Sequence, residues 1–181
     1  MVLSSAQRSF LVKDQVIGPI VINALLNGGL AWLALRHHAP VTMGGDPGIA
    51  RDVLGTLFIL PFLVALIANR LAKHGAQSKG LEPFRFGIEV PAWVRRLPSG
   101  RYARAALLGL VALVVLGPVL IGLLKALGVE AMSLGAFVVF KAVLAGALAG
   151  VVTPVSALYA LGELASEQGA RYGRTKVAPA E

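Results

Sequence analysis

Four long uncharged stretches, each closed at both ends by charged residues, constrain what this chain can form more than any other feature. Asp14 to Arg36 encloses 21 such residues, Asp52 to Arg70 encloses 17, Arg104 to Lys125 encloses 20 and Lys141 to Glu163 encloses 21. A bilayer core about 30 Å thick is crossed by roughly 20 helical residues rising 1.5 Å each. All four stretches fit, and their Leu/Ala/Val/Gly character without alternation predicts helices rather than barrel strands. Composition agrees: of 181 residues, 56% are hydrophobic and only 14% are charged, against about 25% charged in soluble domains. The expected fold is all-α and polytopic. It is a single four-span membrane unit over residues 1–181 with transmembrane helices at about 15–35, 53–70, 104–125 and 134–162. The first stretch is longer than the h-region of a cleaved signal peptide and no A-x-A-like site closes it, so it reads as a retained span.

Basic residues orient the spans. Arg8 and Lys13 precede the first, eight Lys/Arg run from Arg70 to Arg104 inclusive, and Arg171, Arg174 and Lys176 follow the last. The opposite side holds only Arg36, Arg51 and Lys125. The positive-inside rule then puts both termini and the basic loop at about 71–103 in the cytoplasm. Two helical hairpins joined by that loop result. The compact Ala/Leu/Arg-rich style reads as bacterial, making the cytoplasmic (inner) membrane the expected location. Within the loop, Phe84, Phe86, Ile88 and Val90 alternate with Arg85 and Glu89 ahead of Trp93. This pattern suits either docking on a membrane surface or a solvated loop.

Missing residue types narrow the chemistry. With no cysteine, thiol nucleophiles, thiolate metal sites and iron–sulfur clusters are excluded. His37, His38 and His74 lie outside the apolar stretches, which leaves no intramembrane haem ligand. His37 and His38, with Asp46 and Asp52, read as a solvated loop rather than a zinc site. No phosphate-binding, dinucleotide or hydrolase motif occurs, and the net charge of +8 comes without any nucleic-acid reader module. The expectation is a non-enzymatic protein without cofactor, metal or nucleic acid. Its partners are the anionic headgroups of the cytoplasmic leaflet and either copies of itself or another membrane protein.

Polar and special residues inside the spans mark candidate sites. Asn23 and Asn27 share one helical face, either as interhelical glue or as ligand contacts. Gly146 and Gly150, with Ala142, Ala145, Ala149 and Thr153, form a small-residue packing seam. Pro61, Pro118 and Pro154 predict kinks, whereas Pro19 fits a first helical turn at no cost. Pro61 and Pro154 each lie nine residues before the charge that closes their span, a weak internal echo of a parallel two-hairpin duplication. Thr153, Ser156, Tyr159 and Glu163 follow one face at the cytoplasmic end of the last span, where interfacial anchoring is the simpler expectation.

Lys141 admits two positions. Measured back from Glu163, it marks the outer end of the fourth span and snorkels. Measured forward from a re-entry near Ser133, it lies roughly 12 Å deep, with no acidic residue inside any apolar stretch to pair with it. In that position Lys141, Asn27 and Asn23 form an outward-accessible site for an anionic group. The functional expectation is a small homo-oligomeric transporter or channel-like protein for a small anionic solute. The alternative is an accessory or assembly subunit of a larger membrane complex.

Overall fold

The computed structural model describes residues 3–37, 40–82 and 90–177, with side chains to residue 166. Four helices carry the fold: α1 (Ser5–Leu35), α2 (Ile49–Ser78), α3 (Arg101–Ala126) and α4 (Leu134–Val177). Each is long and apolar enough to cross a membrane, and the protein is an all-α, multi-pass integral membrane protein.

Helix α1 starts well before its apolar stretch because a capping box starts it. The Ser4 hydroxyl accepts from the Gln7 backbone N–H at 3.2 Å, and the Gln7 side-chain oxygen accepts from the Ser4 N–H at 2.8 Å. From Phe10 to Ile17 the backbone widens to π-helical register before α-helix resumes at Gly18. This corrects the placement of Pro19, which sits deep in a continuous helical rod rather than in a first turn. A proline in that position lacks a donor and crowds the carbonyl four residues back. The wider register just upstream, where the Gly18 N–H bonds the Lys13 carbonyl, relieves that conflict. Pro61, Pro118 and Pro154 each lie within an unbroken helix.

The helices pack as an open row in the order α1, α4, α2, α3. Neither pair that follows in sequence, α1 with α2 or α3 with α4, forms a comparable interface, so the hairpins are hairpins of connectivity and their packing partners cross over. The α1–α4 seam is antiparallel and repeats every four residues. Cβ positions built at Gly28, Gly146 and Gly150 would meet Ala142, Ala24 and Ile20 respectively. The glycines let the backbones approach, and dispersion between them replaces contact with lipid. This places Gly146 and Gly150 in a seam within the chain. Between α2 and α3 a similar approach occurs at Gly109, where an added Cβ would lie 2.7 Å from the Phe58 carbonyl oxygen.

Helices α2 and α4 run parallel at the centre of the row and are joined by an ion pair near each end. Asp52 meets Lys141, and Lys73 meets Glu163 at 2.9 Å. The paired residues are 21 apart on α2 and 22 apart on α4, about 32 Å of helix, which matches the hydrocarbon thickness.

Both short connections meet at one end of the row. Strand β1 (Val41–Thr42) of the first pairs antiparallel with strand β2 (Ala131–Met132) of the second, and the Met43 N–H donates to the Glu130 carbonyl at 2.7 Å. Gly128, at φ +67°, ends α3 and permits the tight return into α4. The opposite, terminal end is closed by Phe10, Leu11, Ala76, Val90, Val94, Tyr159 and Leu161. Two expectations are corrected there. Val90 is fully buried in this cluster beside Val94, so it is neither laid on a membrane surface nor part of a solvated loop. Trp93 next to them is exposed, and Phe84, Phe86 and Ile88 lie outside the described residues. The Thr153, Ser156 and Tyr159 face is likewise buried, not interfacial. The Arg104 guanidinium stacks 3.7 Å from the Tyr159 ring centre and donates to the Pro98 carbonyl at 2.9 Å.

Close backbone approach makes Gly109 intolerant of a side chain. Gly109→Ala is expected to destabilise the fold by about 1–3 kcal/mol. Gly122→Ala on the same helix, where a Cβ meets nothing within 4 Å, leaves stability equal or raised. Thermal unfolding in detergent compares the two.

Candidate functional site

Asp52 stands in the first turn of α2, where the partial positive charge of a helix N-terminus favours a carboxylate. Thr56 follows one turn later on the same face. Its hydroxyl donates to the Asp52 backbone carbonyl at 2.6 Å, which leaves its oxygen lone pairs turned to a neighbouring donor. That donor is Lys141, two turns into α4, whose entry is capped by the Ser133 side chain accepting from the Ala136 N–H at 3.3 Å. The Lys141 Nζ donates to both Asp52 carboxylate oxygens, at 2.6 and 2.5 Å, and to Thr56 Oγ1. An ammonium has three donors, and all three are engaged.

This corrects the expectation that Lys141 lacks an acidic partner. Counting charges along the sequence treats Asp52 as the boundary of a span. The helix begins at Ile49, however, so Asp52 is already inside it and faces α4. The Lys141 side chain is 11% exposed and that of Asp52 is 32% exposed. Lysine alone in hydrocarbon costs about 2.5–3.5 kcal/mol on insertion scales, and the carboxylate offsets that cost while setting the register of α2 against α4. Sequence reading missed both Asp52 and Thr56 as site residues. Their spacing of four, with a carboxylate ahead of a hydroxyl on one helical face, is the signal that points to them.

Two cavities meet at the ion pair. One, of about 360 Å³, lies toward the loop end and is walled by Leu35, Val41, Pro47, Gly48 and Phe137, with Asn27, Asp52 and Lys141 at its base. The other, of about 510 Å³, is a cleft between α1 and α2. Asn23, Asn27, Asp52, Thr56 and Lys141 are its polar lining, and Leu26, Leu30, Ile59, Leu63 and Ile67 its apolar walls. Both volumes lie within the range of small-molecule sites. The structure thus gathers Asn23, Asn27 and Lys141 along one cleft and adds Asp52 and Thr56.

The asparagines do not bridge helices through their amide nitrogens. Asn23 Nδ2 donates to the Pro19 carbonyl at 2.9 Å and Asn27 Nδ2 to the Asn23 carbonyl at 3.0 Å. One amide hydrogen is thereby satisfied within α1, and the amide oxygens form no hydrogen bond among the described residues. Each amide therefore presents an acceptor and a second donor to the cleft. Elsewhere, Asp46 pairs with Arg51 at 2.7 Å on the exposed first connection. No cluster of three or more His, Asp or Glu suited to a metal occurs among the described residues.

If the ion pair sets the α2–α4 register, its two halves are energetically coupled. Lys141→Met and Asp52→Asn are each expected to destabilise by about 2–3 kcal/mol, since each leaves a partner uncompensated. The double variant should lose less than the sum, by about 1–3 kcal/mol. A denaturation cycle in detergent measures the coupling.

Comparison with known proteins finds no match: no family model, no curated protein and no solved structure aligns significantly with this chain.

Proposed function

We propose that the protein is a non-enzymatic transporter or channel-like protein of the cytoplasmic (inner) membrane. Its ligand carries charged groups and enters from the outer face to the Asp52–Lys141 junction. The single observation behind this reading is that an ion pair near the outer end of the membrane spans, already neutralised and hydrogen-bonded, forms the shared wall of two cavities. Ionisable residues of a membrane span that face a cavity are functional-site candidates by default. Because Asp52 neutralises Lys141, a bare anion is not the group this pair selects. The best ligand exchanges with both charges.

Orientation follows from charge. Lys79, Arg95, Arg96 and Arg101 lie at the terminal end and attract the anionic cytoplasmic leaflet, so both termini are cytoplasmic and the loop-end cavity faces outward. An open row of four helices encloses no continuous path, so transport requires more than one copy. Homo-oligomerisation supplies it. A second reading, an accessory subunit of a larger membrane complex, is favoured by the apolar α1 face, on which Ile22, Leu25, Leu30 and Leu33 are more than half exposed. In the cavity lining the Thr56 hydroxyl is committed to the Asp52 carbonyl and the Lys141 ammonium to the Asp52 carboxylate, so neither is poised as nucleophile or base, which disfavours an enzyme.

The cysteine-free chain makes the test direct. Ala34→Cys, in the outer cavity, is expected to react with a membrane-impermeant maleimide from outside intact cells, and Arg96→Cys only after permeabilisation. Proteoliposomes given labelled glycine as a zwitterion, with labelled inorganic phosphate as the bare-anion control, should show glycine uptake that Lys141→Met lowers at least ten-fold. Reversed labelling, or uptake indifferent to Lys141→Met, overturns the proposal. Native mass in detergent separates the two readings, as a homo-oligomer supports the first and a co-purifying integral protein the second.

A further inference from the structure

Resting on the reading of the Asp52–Lys141 junction as a ligand site, the geometry points to a zwitterionic phospholipid as its occupant. The phosphoethanolamine head sits on the ion pair and one acyl chain lies in the α1/α2 cleft. Depth supports this first. The two ion pairs that join α2 to α4 are separated by about one hydrocarbon thickness, so the Asp52–Lys141 pair stands at headgroup level rather than at the bilayer centre.

Shape supports it second. Below the pair, the cleft continues along α2 from Asp52 to Ile67, 15 residues or about 22 Å of helix. That exceeds the roughly 15 Å depth of one leaflet's hydrocarbon. Its walls there are Ile59, Leu60, Leu63, Val64 and Ile67, with no charge among them. Above the pair, the loop-end cavity has its polar groups, Asn27, Asp52 and Lys141, gathered at the junction under apolar walls, which leaves room for a head group at the ion pair itself. A polar junction with an apolar channel on one side and a compartment on the other has the outline of an amphiphile. A small soluble ion would leave the channel without a function.

Charge decides the head group. Lys141 attracts phosphate, Asp52 attracts ammonium, and no other charged side chain among the described residues lines the outer cavity. A net-anionic head is drawn by Lys141 and repelled by Asp52 at nearly the same distance, whereas a zwitterion satisfies both. The Asn27 amide at the same wall adds a donor and an acceptor. The occupant also needs no delivery: α1 and α2 meet only toward the terminal end, where Phe10 packs on Gly75 and Ala76, so the cleft above that contact is filled from the bilayer itself.

Native mass spectrometry of delipidated protein titrated with phosphatidylethanolamine or phosphatidylglycerol of matched chains tests this. Wild type is expected to retain one phosphatidylethanolamine per chain with at least five-fold preference, and Asp52→Asn and Lys141→Met each to erase the preference. Gly55→Leu keeps both charges and fills the cleft at a position where a Cβ meets nothing within 4 Å. It should lower retention of both lipids at least five-fold in a folded protein. Equal retention of the two lipids by wild type, retention unchanged by Gly55→Leu, or a second polypeptide held in place of lipid overturns the inference. Loss of lipid preference together with intact Lys141-dependent uptake of glycine removes the lipid alone. Loss of uptake as well removes the ligand site on which it rests.

Discussion

A lysine ammonium that enters a membrane helix must find its partners inside the protein, because hydrocarbon offers none. Lys141 finds them on α2, in the Asp52 carboxylate and the Thr56 hydroxyl. The consequence reaches beyond one contact. Satisfying that ammonium fixes the vertical register of α2 on α4, and a second pair, Lys73 with Glu163, holds the same register at the far end. With two ends fixed about one membrane thickness apart, sliding of either helix would break both pairs. The apolar stretch between them needs only to be close-packed and small, as the Ala65, Ala68 and Ala72 series on α2 and the Ala145, Ala149 and Ala157 series on α4 allow.

The central parallel pair also explains why packing partners cross between hairpins. Helices α2 and α4 start at the same end and leave their outer flanks free. Helix α1 covers the flank of α4 and α3 covers the flank of α2. The arrangement maps onto itself when the first hairpin is exchanged for the second. The antiparallel pairing of β1 with β2 obeys the same exchange. This is the order that a parallel duplication about an axis along the membrane normal produces, and it gives the echo of Pro61 and Pro154 a structural setting. The small-residue seam serves it directly: Ile20, Ala24 and Gly28 face Gly150, Gly146 and Ala142 at every fourth residue.

The spans were legible because twenty uncharged residues between charges have one physical solution in lipid. The Gly146 and Gly150 seam was legible because only small residues allow helices so close. Position within the membrane was not. A charge that ends an apolar stretch in the sequence need not lie outside the helix, and Asp52, three residues past Ile49, is the case in point. The buried Thr153, Ser156 and Tyr159 face failed for a related reason. Polar residues near a span end suit water and a protein interior equally well, and only the approach of Arg104 from α3 settles which one they meet. Asn23 and Asn27 were read correctly as a shared face. Their bonding back to α1 carbonyls depends on rotamers that spacing does not encode.

The near-symmetry of the row makes its one asymmetry informative. Two flanks border the central pair at the loop end. On the α3 side, Leu54, Leu57, Leu120 and Leu124 fill the space, and Gly117 packs its backbone near Leu54. On the α1 side the corresponding space is left open, and Asn27, Asp52, Thr56 and Lys141 line it. Leucines on that side would close the cleft and add burial, as they do opposite. Leaving it open places amides and an ion pair against a void, which costs stability unless something enters. Selection for stability alone would make both flanks alike. The difference between them supports the proposed ligand site, and it falls where the ion pair borders both the loop-end cavity and the α1/α2 cleft.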